Sequence, residues 1–574
     1  MSRFVSRLQT LVLAAAVVCT ITASAADNIL QVIPKDVLGA VVIANPEQAQ
    51  AKLSELAAKL QLPLPDLVQM ARQRSGVSEG LDTTGSIALV LGEPAAGSPF
   101  PTAVWYVATS DYRQLLTSVG ADESDGKIAS AMLNGQRMLL AARDGYALIA
   151  DIGSRATLER CLEGDSSLAT ETEAMSHRID GTDFYAVATP AGISTAKQGL
   201  LQGLAMIKMQ VEQQSPNPGD ITAALAVYET IFRAMDREFS HLMFGIRMEA
   251  DSAIRIVKSG LLLPEGILSR TGRNTRPMPP EIMADLPAGP FIFAGGGTLP
   301  QNLAQDMMAW SIQMMKLYLH GTELTDEDMR QLTDAAAGLM GNMRSMFIVM
   351  GNTSDDAPMY GNTTLVIQVD DASTFLKNYE ASILRMSEIM ERSENPPFTY
   401  QVSRSSFQDH EILELQTDMS GFLQAQAVPQ TRQMMKNMFG DAEKVMIYLA
   451  VADEHTVLGR YISREQLVED LKRGRPEQSV KDQPEIAETL ALLPGTAMGV
   501  GLWSPIGTFR MARQMMQTLQ PAAAAAIPDF PDSPPVGMSL ELSPQQFHVD
   551  IVLPPGLIDA IAEYARSLHG QAAP

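Results

Sequence analysis

The sequence predicts an α+β protein: two tandem copies of a mainly antiparallel sheet with helices packed on one face. Three observations predict it. A strand–cap–helix pattern occurs twice, as GYALIADIGSRATLERCLEG at 145–164 and HTVLGRYISREQLVEDLKRG at 455–474. The segments around each occurrence recur in the same order along the chain. Pairs of apolar runs joined by turn residues predict hairpins, which favour antiparallel pairing.

In each repeated stretch an apolar run leads to Ser-Arg. Apolar residues then return at helical spacing, Leu158 and Leu162 in one, Leu467 and Leu471 in the other. Ser154 and Ser463 are expected N-caps, because a hydroxyl there can accept from the free N–H groups of the first turn. Ser463 with Gln466 also fits a capping box. Gly164 and Gly474 stand where a left-handed C-cap would end the helix.

Copy one is assigned to residues 27–265. Residues 37–44 read as a buried strand, and Asn45-Pro46 opens a helix bearing Leu53, Leu56, Ala57 and Leu60. Ser86 to Gly92 and Ala103 to Ala108 are strands, and Thr109-Ser110-Asp111 caps a helix with Leu115, Leu116 and Val119. Residues 127–142 predict a hairpin about Asn134-Gly135, a favoured turn pair. Thr182 to Thr189 is a strand feeding a long helix with Leu200, Leu204, Ile207 and Val211 in line. A further helix over about 220–239 carries Leu225, Tyr228, Phe232 and Met235, and residues 242–262 predict a closing hairpin about Ala250-Asp251-Ser252. The two helix-linked strand starts allow some parallel pairing.

Residues 266–285 hold Arg270, Gly272, Arg273, Arg276, Pro277, Pro279 and Pro280 and read as a stiff polar linker. Copy two, 286–570, repeats the plan. Pro290 to Ala294 is its first strand, turning through Gly295-Gly296-Gly297 into a long helix, and Thr325 to Asp328 caps another. Ser345 to Gly351 matches Ser86 to Gly92, and Leu365 to Asp371 matches Trp105 to Asp111. Residues 398–418 read as the middle hairpin, 495–499 match 181–185, and 536–553 match the closing hairpin. Copy two gains a Met-rich segment near 420–442 and replaces the 220–239 helix with a Pro/Ala-rich loop from Pro521 to Pro535.

A chain of 574 residues exceeds one ordinary core. The formal charge is −23. That opposes binding to nucleic-acid phosphates or docking on anionic lipid, and it favours solubility. The N-terminus reads as a secretory signal over 1–26: Arg3 and Arg7, an apolar run from Leu8 to Ile21, then Ala23-Ser24-Ala25 or Ser24-Ala25-Ala26 for cleavage. Cys19 follows Ala16-Val17-Val18, a poor lipobox. No other stretch is long and apolar enough for a transmembrane helix. The mature chain is therefore expected to be soluble in the periplasm or outside the cell. It keeps one cysteine, Cys161, which makes no internal disulfide and is expected as a small buried residue.

No motif names an activity, and no catalytic, cofactor-binding or metal-binding residue is assigned. Gly295-Gly296-Gly297 could hold an anion, but it lacks both the Walker and the GxGxxG pattern. The seven His residues make no zinc spacing. His410-Glu411 and Asp453-Glu454-His455 are the nearest polar clusters, with His455 expected on a surface turn. Asp122 to Asp125 is expected to be a turn and Asp326 to Asp328 a charged helix start; neither is a calcium loop. Methionine is dense in copy two: Met307, Met308, Met314 and Met315; Met434, Met435 and Met438; Met511, Met515 and Met516. Core packing explains such clusters. The alternatives are a soft Cu(I) site without nearby His or Cys, or an adaptable groove for an apolar ligand or partner, and the groove is preferred to the metal.

Four segments carry a resemblance: Ile33 to Val42, Gly80-Leu81-Asp82, Tyr106 to Asp111, and Gly145 to Asp151. With them the chain resembles a group of exported bacterial proteins of unknown function, common in planctomycete-type bacteria. The resemblance implies export and a repeated α+β fold, and it carries no catalytic residue or ligand. The expectation for function is a non-enzymatic periplasmic binding or scaffold module for an unknown protein or apolar ligand, without nucleic acid. The alternative is a periplasmic hydrolase with an unrecognised triad, since triads are set by geometry. An oligomeric assembly built through copy-to-copy contacts is a third reading.

Overall fold

The computed structural model describes residues 29–62, 77–278, 283, 286–300 and 325–571. Breaks inside those ranges fall at 78, 83–84, 99, 126, 165, 215–217, 287, 326, 329, 332, 335–336, 338–340, 352–357, 393–397, 422, 424–428, 442, 475–478, 521, 523 and 525–526. The expected leader, its cleavage alternatives and Cys19 lie outside the described residues, as do Asp326, most of 420–428 and the helix with Met307, Met308, Met314 and Met315. The chain divides into two compact units. One is Met1–Ile207, Glu229–Gly266 and Gln545–Val549; the other is Lys208–Tyr228, Ile267–Pro544 and Asp550–Pro574.

The first unit begins with β1 (Gly39–Ile43), α1 (Pro46–Leu60), β2 (Ile87–Pro94), β3 (Pro101–Ala108) and α2 (Tyr112–Ser118). There follow β4 (Asp122–Asp125), β5 (Ile128–Leu133), β6 (Gln136–Arg143), β7 (Tyr146–Asp151), α3 (Arg155–Glu163), α4 (Leu168–Glu171) and α5 (Ser176–Ile179). Then come β8 (Phe184–Ala188), α6 (Pro190–Gln214), α7 (Pro218–Glu238), β9 (Phe239–Met248) and β10 (Ile254–Leu262), with the end of α6 from Lys208 and the start of α7 through Tyr228 grouping with the second unit. The sheet order is β4-β5-β6-β7-β3-β2-β1-β8-β9-β10, every pair antiparallel.

The second unit holds α8 (Ile267–Gly272), β11 (Phe293–Thr298), β12 (Met343–Met350), β13 (Thr364–Val369), α9 (Ala372–Met390), β14 (Thr399–Phe407), β15 (His410–Asp418) and α10 (Pro429–Phe439). It continues through β16 (Lys444–Asp453), β17 (Thr456–Tyr461), α11 (Arg464–Arg473), α12 (Pro484–Ala491), β18 (Gly499–Trp503), α13 (Pro505–Leu519), β19 (Val536–Leu542), β20 (Gln546–Leu553) and α14 (Pro555–Gln571). Its strands run β14-β15-β16-β17-β13-β12-β11-β18-β19-β20, with β19 and β20 a hairpin. The start of β20, through Val549, groups with the first unit. The protein is thus α+β with mostly antiparallel sheet. All the described pairings named here are antiparallel, so the expected parallel pairing at the helix-linked strand starts is absent from them.

Helices cover both faces of the sheet, not one. In the first unit Val104, Tyr106 and Leu148 face Leu158, Cys161, Leu168 and Met175. Their strand neighbours Trp105, Val107, Ala147 and Ile149 face Leu115 and Leu116 of α2. Successive strand residues point to opposite sides, and this sheet is apolar on both. In the second unit Phe347 and Val366 pack with Val480 and Ile486, while Ile367 and Val369 pack with Phe375 and Leu376 of α9.

Several caps form as expected. Asn45 Oδ1 accepts from Gln48 N at 3.0 Å, Asp111 Oδ1 from Arg113 N at 2.9 Å, and Asp371 Oδ1 from Thr374 N at 2.6 Å. The hydrogen bonds from Thr374 hold the Asp371 carboxyl below its ordinary value. Thr325 and Asp328 exchange hydrogen bonds, N to Oδ2 at 3.1 Å and N to Oγ1 at 3.1 Å. The turn between β5 and β6 is Asn134-Gly135, both left-handed at φ 50° and 78°, and a methyl built at Gly135 would meet nothing within 4 Å.

Other local expectations are corrected. Ser463 accepts from Gln466 N at 3.2 Å, but the Gln466 Oε1 does not reciprocate, so the box is half made. Ser154 does not cap α3. Asp151 takes its backbone N–H at 2.7 Å, and the Ser154 hydroxyl, 2% exposed, accepts from Ala103 N on β3 instead. Gly164 is extended at φ −65° and makes no left-handed cap; Arg143 donates instead to the Cys161 carbonyl of the last turn and to the Gly164 carbonyl. Asp122–Asp125 is strand β4, not a turn. Gly295-Gly296-Gly297 is no turn either. It lies inside β11, paired with Ile348 to Met346 and with Gly501 to Gly499. A methyl at Gly296 would sit 2.0 Å from the Met346 oxygen, so the glycines permit close strand approach. The expected linker starts as a packed helix: Ser269 Oγ donates to the Pro544 oxygen at 2.7 Å, and Thr275 Oγ1 to that of Leu542 at 2.8 Å.

Candidate functional site

The first unit contains an apolar cavity of about 530 Å³. It lies on the sheet face where β1 and β8 pair Gly39 with Ala188 and Val41 with Ala186. Gly39, Ala186 and Ala188 are small and leave the floor low. On the neighbouring strand Leu242 stands opposite Ala188 and Phe244 opposite Ala186, and both line the cavity. Phe547 adds a second ring, and among the described residues Lys258 is the only charged one in the wall.

One end is set by the start of α6. Thr189 Oγ1 donates to the Val37 oxygen at 2.6 Å and accepts from Gly192 N at 3.2 Å. Pro190 occupies the first helical position, where no N–H is needed. Gly192 then rests on the backbone of the residue preceding β1: a methyl there would be 1.8 Å from the Leu38 oxygen. Thr195 and Ala196 of the next turn close this end of the cavity. The line of apolar residues along α6 is only partly covered, with Leu200 and Ile207 exposed at 41% and 43%.

A polar string starts at Ser259 of β10, which also borders the cavity. Ser259 is hydrogen-bonded to His548 Nδ1, and His548 Nε2 meets Gln546 Oε1 at 2.9 Å. His177 packs edge-on against the His548 ring with 5.7 Å between centroids. Burial, with Arg178 and His177 beside it, lowers the His548 pKa to about 4. Ser259 and His548 are 1% and 5% exposed. Cys161 is buried as expected; burial pushes its thiol up, against the Tyr106 hydroxyl, which burial also pushes up.

The other singled-out residues do not line the cavity. His410 opens β15. His455 lies on a turn, but it is anchored: its Nδ1 is 2.8 Å from the Asp370 oxygen. Met435 of α10 is buried, Met434 is exposed, and α10 packs on α13, which carries Met511, Met515 and Met516. Met243 alone of the described methionines lines the apolar cavity. A smaller cavity of about 360 Å³ in the second unit has Glu485, Arg510 and Asp532 in its wall. Among the described residues no cluster of three His, Cys, Asp or Glu could hold a metal, and no helix is long and apolar enough to cross a membrane.

No protein-family model, curated protein or solved structure matches this chain. The cavity residues were missed in the sequence because they are defined by what they lack. One signal was available: Thr189-Pro190-Ala191-Gly192 and Ser504-Pro505-Ile506-Gly507 share a hydroxyl, proline and glycine at the same spacing.

Proposed function

We propose that the chain is two tandem copies of one exported α+β unit, and that the protein is a non-enzymatic binding module with an apolar ligand seated in the first unit. The observation that carries the binding reading is the 530 Å³ cavity with one charged residue in its wall among the described residues. Ligand sites are typically concave, mostly apolar and about 300–1,000 Å³. Copy duplication is supported by the two strand orders, which correspond strand for strand in chain order. It is supported again at the second hydroxyl–proline–glycine start. Ser504 Oγ accepts from Gly507 N at 3.1 Å, and a methyl at Gly507 would be 2.1 Å from the Phe291 oxygen. The Met-rich groove has less behind it, since the described methionine helices pack on each other. The hydrolase alternative has the Ser259–His548 pair in its favour, but both residues are buried.

The test is Nile red fluorescence with the intact mature protein and its Ala186→Phe variant, alongside native mass spectrometry of protein purified without detergent. Saturable binding that Ala186→Phe removes, with unchanged circular dichroism, is the expected result. Binding that survives the filled floor, or no binding at all, overturns the reading.

A further inference from the structure

We infer that the ligand of this cavity is a single-chain amphiphile with an anionic head, its chain lying on the Gly39/Ala186/Ala188 floor and its head meeting Lys258. The inference rests on the apolar-cavity reading above and specifies its chemistry. Three features of the wall carry it.

The first is charge. The chain has 43 Lys and Arg against 66 Asp and Glu, so a cation in an apolar wall is not a default outcome. Lys258 is exposed and has no carboxylate partner among the described residues, whereas Arg255 on the same strand faces Glu249 at 3.7 Å. An ammonium left open beside an apolar surface, opposite Phe244, matches a carboxylate or similar head. The second is the floor. Gly39, Ala186 and Ala188 leave a low strip along the β1–β8 pair, bounded on one side by Leu242 and Phe244. That shape takes a chain laid along it. The third is size. At about 530 Å³ the cavity is in the lower half of the range for ligand sites, which suits one chain better than a two-chain lipid.

The energetic division follows. Each methylene removed from water contributes about fourfold in affinity. An exposed ion pair contributes little, roughly twofold to fivefold, and salt screens it. Chain length therefore sets affinity, and Lys258 sets the preference for an anionic head.

The experiment titrates the mature protein, its Lys258→Glu variant and its Ala186→Phe variant with decanoate, dodecanoate and dodecan-1-ol below their aggregation limits, by displacement of Nile red. Dodecanoate is expected to bind more tightly than decanoate by about fourfold per methylene. Lys258→Glu is expected to weaken dodecanoate roughly fivefold and leave dodecan-1-ol unchanged. Lys258 is exposed, so that variant keeps the fold. If dodecanoate and dodecan-1-ol respond alike to Lys258→Glu, the anionic-head inference falls while the apolar cavity stands. If none of the three displaces the dye, or the dye itself never binds, the cavity reading falls with it.

Discussion

The first strand pairs of the two units place their bulky residues in opposite ways. In β1 and β8 the paired positions are Gly39/Ala188, Val41/Ala186 and Ile43/Phe184, and in β11 and β18 they are Phe293/Trp503, Gly295/Gly501 and Gly297/Gly499. Counted from the capped helix start, small residues sit at the strand end in the first unit, and the rings sit there in the second. Phe293 and the Met538 side chain come within 3.3 and 3.1 Å of where a methyl on Gly501 would be. In the first unit the same region is the cavity floor. What the difference teaches is that backbone register fixes where a cavity can form, and the placement of bulk along two strands decides whether it does.

The largest expected effect tests the shared frame. Gly192→Val and Gly507→Val should each destabilise their unit by about 3 kcal/mol, because the new side chain would drive into a strand-leading carbonyl. Unfolding in urea with hydrogen-exchange readout assigns the loss to a unit. A large effect at only one site would break the comparison. Next come the serines of the repeated strand–helix stretch. Ser154→Asp should cost about 2–3 kcal/mol, since it buries a charge at the Ala103 N–H, while Ser463→Asp should be nearly neutral as an alternative cap. Similar thermal midpoints for the two variants would show that the two serines have equal roles after all.

A sharper probe is Phe293→Ala. It should cost about 2 kcal/mol and create a second Nile red site over Gly295 and Gly501. If the dye stoichiometry stays unchanged, bulk at the strand end is not what closes the second unit. The smallest effect is the pH dependence that His548 gives the first unit. His548 is held neutral in the fold, its pKa lowered from 6.5 to about 4, so the unfolded chain takes up a proton first as the solution acidifies. Stability contributed by this group is full above about pH 6.5 and is lost as the pH falls from 6.5 towards 4. Arg178, His177, Ser259 and Gln546 surround the ring, and His548→Gln should flatten the profile. Equal pH profiles for the wild type and His548→Gln would remove His548 as the cause.

Much of the secondary structure was legible because its signals are local. Asn134-Gly135, the caps at Asn45, Asp111 and Asp371, and the Pro46 helix start each act within a few residues. Where a distant partner intervenes, the local rule loses. Ser154 is taken up by β3, and the Arg143 guanidinium serves the Cys161 carbonyl at the helix end, where Gly164 makes no left-handed cap. Gly295-Gly296-Gly297 looked like a turn because glycine permits both turns and close strand packing. The cavity was not legible. Gly39, Ala186 and Leu242 lie far apart in the chain, and only the pairing register brings them to one face.

The Asn134-Gly135 turn has a practical consequence. In chain order, the corresponding connection of the second unit, between β15 and β16, carries helix α10. A corner that accommodates a helix in one unit and two residues in the other is a natural graft point. A reporter peptide or binding loop spliced between Asn134 and Gly135 would project from an open tip, and lengthening such a loop costs little chain entropy.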